Sequence, residues 1–267
     1  MKVSDMKYND LTPNFGAVIY DIDLVDLTPS KSKFLYDLFC EKKILIIPNQ
    51  KLDNKQLSSI ASIFGKVWNI SKEKYNGLMQ SSHHGHEDGF VEVVEENGLL
   101  GKGRLPWHVD LTHFPSQTLP NRLLYATKIQ GVGAPTDFLD TIEGIKLLDQ
   151  ETFDFLRNTS IHCKAPWKTL WGPVMRRPAL NWHPKYNSWG LVADELFTVH
   201  IEGKDNHSEF MKHVIEKMKT TNTVYSHQWQ ENDLMIYDNW CTMHSRKPFN
   251  NSIRKLKRVT WDQEWHV

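Results

Sequence analysis

Surplus charge of either sign is missing from this chain: Lys and Arg number 32, Asp and Glu number 32, and the formal net charge is zero. A protein dedicated to nucleic acid ordinarily carries a basic excess, so no nucleic-acid partner is expected. Cysteine is scarce. Cys40, Cys163 and Cys241 are an odd number, widely spaced and without a CxxC pair, which suits a reducing compartment better than a disulfide framework. No apolar run approaches the roughly 18 residues that a membrane helix needs. The opening MKVSDMKYNDLTPNFG also lacks the continuous apolar core of a signal peptide. The expectation is a cytoplasmic protein with no membrane partner. What is present is ordinary in bulk: 267 residues, 40% hydrophobic and 24% charged, enough for one substantial core.

Periodicity supplies the next layer. NFGAVIYDIDL alternates from Val18 as a half-buried strand does, and Thr28-Pro29 reads as an N-cap with proline in the first helical turn. The helix that follows turns Phe34, Leu35, Leu38 and Phe39 to one face. Ile44 to Pro48 is a short, continuously apolar run expected to be a buried strand. Asp53 and Gln56 form a capping box for a helix that buries Leu57, Ile60, Ala61 and Phe64 and stops at Gly65. From Val67 to Gly103 the pattern fades into a long polar loop with one strand candidate at Phe90 to Val94. Beyond Leu105, strands are expected at 107–112, 122–129, 189–192, 223–228, 233–237 and 257–261, with helices at 142–148, 151–158 and 208–219. Many short strands and few helices predict one domain over 1–267, mainly β with flanking helices (α+β).

Within LPWHVDLTHFPSQ, His108 and Asp110 stand two apart on an alternating stretch. Side chains two apart on a strand share a face, the relation the first two ligands of a 2-His-1-carboxylate iron site require. A solvated strand face would produce the same pattern. The spacing alone is weak, since H-x-[DE] also occurs at His86/Asp88, His200/Glu202 and His207/Glu209. Context favours His108/Asp110: the first rival lies in a glycine-flanked loop, the second lacks an apolar opposite face, and the third opens a helix, where i and i+2 diverge. A candidate third ligand, His244, follows the strand ending at Tyr237.

At this point the chain resembles the TauD/TfdA family of Fe(II)- and 2-oxoglutarate-dependent dioxygenases. The resemblance rests on FGAVIYDIDL, KKILIIPNQ and IASIFGKV near the start, WHVDLTHFPSQTLPNRLLYATKIQGVGAPTDFLDT, RRPALNWHPKYNSWGLVADEL, and the block from His244 to SIRKLKRVTW, all in order. It implies a double-stranded β-helix (jelly roll). It also implies iron ligands His108, Asp110 and His244, and Arg258 as the partner of the distal carboxylate of 2-oxoglutarate. Thr136 would help to hold that carboxylate, with Arg254 as a second arginine near the co-substrate. The family's G-G-D-T reads G-A-P-T here, keeping the threonine but not its neighbours.

The chemistry implied is the use of O2 and 2-oxoglutarate to oxidise a small substrate, releasing succinate and CO2. Arginine suits the far carboxylate because its planar fork pairs bidentately and keeps its charge. Family-like halogenases replace the ligand carboxylate with a small residue, so Asp110 favours hydroxylation or a related oxidation. Arg104, four residues before His108, is a candidate counter-ion for an anionic substrate. His83, His84 and His86 suggest a substrate-facing loop rather than a second metal, and Trp167, Trp171, Trp182 and Trp189 are pocket or core candidates. A desaturase tailoring an amino-acid-derived natural product, a cupin-like metal protein, and a non-catalytic binding sandwich are the alternatives. Homo-oligomerisation is compatible with all of them.

Overall fold

Residues 6–69, 84–87, 90–94, 103–114, 119–131, 135–164, 174–249 and 253–263 are described by the structure, a computed structural model; for 84–87 and 92–94 it describes the backbone alone. The elements begin with β1 (Tyr8–Asp10), β2 (Ala17–Ile19), α1 (Pro29–Lys42), β3 (Ile44–Ile47), α2 (Asn54–Ala61) and β4 (Lys66–Val67). Then come β5 (His84–Glu87), β6 (Val91–Val94), β7 (Leu105–His108), β8 (Asn121–Gln130), β9 (Thr136–Asp140), α3 (Thr141–Ile145) and α4 (Gln150–Asn158). The series continues through β10 (Ser160–Cys163), β11 (Met175–Pro178), β12 (Leu180–His183), β13 (Ser188–Leu191), β14 (Thr198–Ile201) and α5 (His207–Met218). It closes with β15 (Val224–His227), β16 (Leu234–Tyr237), β17 (Thr242–Arg246) and β18 (Ile253–Asp262). No helix among the described residues is long and apolar enough to cross a membrane.

Two sheets carry the architecture. The larger runs β1-β2-β3-β16-β8-β18-β6-β5 with β4 on β18, and the smaller runs β15-β9-β17-β7. All these pairings are antiparallel except β2 with β3. Period-two alternation splits each apolar strand between two cores. In β3, Leu45 and Ile47 join α1 and α2 in a cluster with Leu35, Phe39, Leu57 and Trp261, whereas Ile44 and Ile46 face the other way. Those inner residues meet Leu124, Met235, Tyr237 and Phe138, the last from β9 of the smaller sheet. A third cluster packs Leu139 and Met243 against Met211 and Met218 of α5. The order is helices, large sheet, small sheet, helices. A run such as ILII is continuously apolar because both of its faces are covered.

The first two helices start as the sequence predicts, but α2 ends at Ala61 rather than running to Gly65. Thr28 caps α1, with Pro29 in its first turn, and Asp53 and Gln56 close the capping box of α2. Helix α1 ends at its C-cap Lys43, which adopts a left-handed conformation (φ 67°) and buries its ammonium against Asp140 at 2.5 Å. Asp140 is also the N-cap of α3, so one ion pair ties α1 to the small sheet.

Several expectations are corrected. The stretch read as unpatterned before Gly103 contains β5 as well as β6, a hairpin on the edge of the large sheet. The strand expected over 107–112 ends at His108, because the chain turns at Leu111, which has φ 62°. β17 was read only as chain following a turn, and β10, β11, β12 and β14 were not anticipated. Their polar residues hid the alternation; β11, for example, is MRRP.

Candidate metal centre

His108 ends β7, Asp110 lies in the turn beyond it, and His244 is the central residue of β17, paired in register with His108. The three ligand atoms lie within 4.8 Å of one another. His108 Nε2 is 3.7 Å from Asp110 Oδ1, and His244 Nε2 is 4.0 Å from Asp110 Oδ2. The solvated-strand reading fails, since all three are buried, as are Trp107, Val109 and Thr112. Asp110 does not reach this place by strand alternation. The turn delivers it.

The donor set fits a divalent metal. The carbonyl of Pro106 can only accept, so His108 donates Nδ1–H to it at 2.8 Å and leaves the Nε2 lone pair for an ion. His244 Nδ1 is buried and has no hydrogen-bond partner among the described residues. Burial keeps both imidazoles neutral by lowering their pKa values, His244 well below the usual range. Asp110 is held well below the carboxylate range in spite of its burial, chiefly by the Arg122 guanidinium. Two neutral imidazoles and one carboxylate leave three positions open on an octahedral ion.

An outer layer fixes this set. Tyr237 donates its hydroxyl to Asp110 Oδ2 at 2.8 Å, and Arg122 Nε lies 3.2 Å from the same oxygen. Asn239 bonds both ways to the Asp110 backbone, at 3.0 and 2.9 Å. Asp194 clamps the turn. Its Oδ1 accepts the N–H groups of Leu196, Phe197 and Thr198, and its Oδ2 accepts Val109 N–H and the Thr112 hydroxyl, both at 3.3 Å. Arg177 donates to the carbonyls of Thr112 and Phe114 on the far side of the turn. None of these five residues was singled out from the sequence. Arg122 left the clearest trace, a charge at the head of the apolar run LLYA.

Removing the Asp194 carboxylate by Asp194→Ala should weaken ferrous binding by about 10–100-fold, the usual cost of losing an outer partner. Anaerobic titration of the metal-free variant measures it. An unchanged affinity would mean that the turn holds itself.

The remaining candidates divide. Thr136 on β9 accepts hydrogen bonds from Arg254 Nη2 and Trp229 Nε1, each at 2.9 Å. Burial, then the nearby Arg246, pulls the Arg254 pKa down to about 9. Arg258 is half-buried on β18, in register with Leu124, and its charge reaches His108, Asp110, His244 and Tyr237. The Arg104 side chain is 54% exposed and pairs with Glu195 at 2.8 Å. It lines an open groove of about 580 Å³ together with Trp107, Asp137, Ser245 and Arg246. Trp182 is exposed and stacks edge-on with Trp189 at 5.2 Å, away from the triad. Trp167, Trp171, His83 and the side chains of His84 and His86 lie outside the described residues.

A second buried three-donor group consists of His183, Asp238 and Cys241. His183 Nε2 and Asp238 Oδ2 are hydrogen-bonded at 3.0 Å, and Asp238 Oδ1 accepts Trp240 N–H at 2.9 Å. Burial pushes the Cys241 thiol well up, so it stays protonated and donates weakly to the Asp238 carbonyl. These bonds brace the turn between β16 and β17 that carries His244 into place.

Comparison with known proteins follows the same line. Residues 7–260 match the family described as taurine catabolism dioxygenase TauD, TfdA family. A (S)-phenoxypropionate/alpha-ketoglutarate-dioxygenase of Delftia acidovorans is 23% identical, covering 92% of this chain and 90% of that protein. A 3-((Z)-2-isocyanoethenyl)-1H-indole synthase of Fischerella ambigua is 24% identical over 93% of each. The solved structure of a taurine dioxygenase from Burkholderia xenovorans superposes with a TM-score of 0.79 at 18% identity, over 97% of this chain and 90% of that one. A buried His-Asp-His set at the mouth of two facing sheets and a family match over nearly the whole length agree: the chain belongs to the TauD/TfdA family of Fe(II)- and 2-oxoglutarate-dependent dioxygenases.

Proposed function

We propose that His108, Asp110 and His244 hold ferrous iron at one end of a double-stranded β-helix. Arg254, Thr136 and Arg258 hold 2-oxoglutarate, and a small organic anion is oxidised beside them in the cytoplasm. The observation that carries the reading is the pairing of His108 with His244 across β7 and β17, with the Asp110 carboxylate within 4.0 Å of both. When bound, iron, 2-oxoglutarate and O2 supply the oxidising chemistry that removes a hydrogen from the substrate, with succinate and CO2 as co-products. The protein's share is to bind and orient. Tyr237 and Arg122 both occupy Asp110 Oδ2, which turns Oδ1 toward the ion. The substrates for which the Delftia and Burkholderia proteins are named, phenoxypropionate and taurine, support a small organic substrate.

We read the two arginines in the opposite roles to those the resemblance implies. Arg254 shares Thr136 and lies against Trp229, whereas the charge of Arg258 reaches the triad itself. Arg254 with Thr136 therefore takes the distal carboxylate, and Arg258 the end that chelates the metal.

An anaerobic titration tests both points through the visible charge-transfer band of a chelated keto acid, with 2-oxoglutarate compared against pyruvate, which lacks the distal carboxylate. Wild type should prefer 2-oxoglutarate. Arg254→Ala should lose about 10–100-fold of that preference, as expected for a charge-assisted pair worth about 1.5–3 kcal/mol. Arg258→Ala should weaken both keto acids alike. The opposite pattern restores the original assignment, and absence of a band in wild type removes the co-substrate. A product heavier by one oxygen identifies hydroxylation, and one lighter by two hydrogens identifies the desaturation suggested by the Fischerella relative.

A further inference from the structure

Thr136 receives two hydrogen bonds and has one left to give. A threonine hydroxyl can accept twice and donate once. Trp229 Nε1 and Arg254 Nη2 each donate to Thr136 Oγ1 at 2.9 Å, and neither an indole nor a guanidinium nitrogen can accept in return. Both acceptor positions are therefore filled, and the hydroxyl proton has no acceptor among the described residues. Thr136 is 3% exposed, so solvent scarcely reaches it. A buried donor left open by the fold is costly unless a bound molecule accepts from it.

Trp229 is itself held on several sides. It is 5% exposed and belongs to the cluster of Phe138 and Tyr237. The Arg254 guanidinium carbon lies 5.5 Å from the centre of its ring, and the His227 ring meets it edge-on at 4.6 Å. His227 stands opposite Thr136 across β15 and β9 and is anchored in turn. The Asp233 carboxylate can only accept, so His227 gives it Nε2–H at 3.1 Å and receives the Tyr225 hydroxyl at Nδ1, 3.2 Å away. Asp233 Oδ2 also accepts Gln230 N–H at 2.8 Å. This frame leaves the indole N–H a single direction, toward Thr136 Oγ1.

We propose that Trp229 is a positioning residue for the co-substrate: its indole N–H fills the second acceptor of Thr136, so that the hydroxyl proton is turned toward the distal carboxylate of 2-oxoglutarate. The inference rests on the iron and 2-oxoglutarate reading and deepens it. A hydroxyl that accepted from Arg254 alone could swing its proton into a second direction. It would also donate more weakly, because the bonds an oxygen accepts polarise the one it gives. A carboxylate offers acceptors only and matches such a donor, whereas a keto acid without a distal carboxylate never meets it.

The visible band of the anaerobic Fe(II) complex reads the affinities for 2-oxoglutarate and pyruvate in wild type, Trp229→Phe, Thr136→Val and the double variant. Phenylalanine keeps a ring against Arg254 and His227 and removes the N–H. Trp229→Phe should lose about 3–10-fold of the preference for 2-oxoglutarate, the order of one neutral hydrogen bond, with pyruvate affinity held within about twofold. In the Thr136→Val background the same substitution should change the preference by less than about twofold, since Trp229 acts only through the hydroxyl. Thermal unfolding checks that each variant is folded. A wild-type measurement stands beside them: with zinc in place of iron, the Trp229 indole N–H proton resonance should move downfield when 2-oxoglutarate binds and stay in place with pyruvate. A resonance that ignores 2-oxoglutarate or follows both keto acids alike overturns the proposal. So does a Trp229→Phe variant that weakens both keto acids equally, or a double variant in which the two losses add. Absence of the band in wild type overturns the underlying reading and this inference with it, whereas a preference for 2-oxoglutarate that survives Trp229→Phe overturns this inference alone.

Discussion

Asp110→Asn should bind no ferrous iron at concentrations that saturate wild type, and its metal-free form should be less stable by about 3–5 kcal/mol, the usual cost of breaking a buried ion pair. Two separate consequences are involved. The carboxamide cannot supply the anionic ligand that the two neutral imidazoles need beside them. It also leaves the Arg122 guanidinium, 2% exposed, without the charge 3.2 Å away that compensates it. Tyr237 keeps an acceptor in the variant, so the loss falls mainly on Arg122. Urea unfolding of chelator-treated protein reads the stability, and anaerobic titration reads the metal. If the metal-free variant is as stable as wild type, Arg122 is compensated by other groups, the Thr260 hydroxyl to which it donates among them. If it binds iron normally, Asp110 is not a ligand.

Acidification is the second large effect. Burial lowers the pKa values of His108, His244 and His113, that of His113 to about 4. In the unfolded chain each titrates near pH 6.5. Below that pH the unfolded state takes up protons that the native state refuses, so stability is complete above about pH 6.5 and falls as the pH drops. Asp194 acts in the opposite sense. Burial raises its carboxyl to about 7, so the native state keeps a proton that the unfolded state releases near pH 4. Its contribution declines as the pH rises across that window. Three histidines against the buried carboxyls leave a net proton uptake on unfolding near pH 5.5. The metal-free protein should therefore lose stability there, by about 1.4 kcal/mol per pH unit for each net proton. His113→Asn should remove one proton from that slope. Unfolding at pH 7, 6 and 5.5 measures it, and a flat profile would mean that these imidazoles charge freely in the folded protein.

Local signals in the sequence were enough for much of this. Caps at Thr28 and Asp53, the buried run ILII and the amphipathic helix after Asn206 each depend on residues within a few positions of one another, and each forms as read. Order along the chain, His108 and Asp110 first, His244 later, then two arginines, was also sufficient for the family. The mechanism by which Asp110 arrives was not legible. Alternation put it on a strand, whereas a left-handed residue at Leu111 and a clamp from Asp194 put it in a turn.

Which charges meet is decided only by the tertiary structure. Tyr237 and Asp110 are 127 residues apart in the chain, and Arg254 and Thr136 are 118 apart. No local pattern encodes such a distance, because cross-strand register depends on how whole sheets stack. Arg104 makes the same point. In sequence it stands four residues before one ligand, where it looks able to face a substrate. In the fold its side chain pairs with Glu195, 91 residues away, at 2.8 Å. The sequence by itself determined the metal, the co-substrate and the elements that carry them. The stacking of the folded sheets decided which of these side chains meet, because register between distant strands is set by the whole fold.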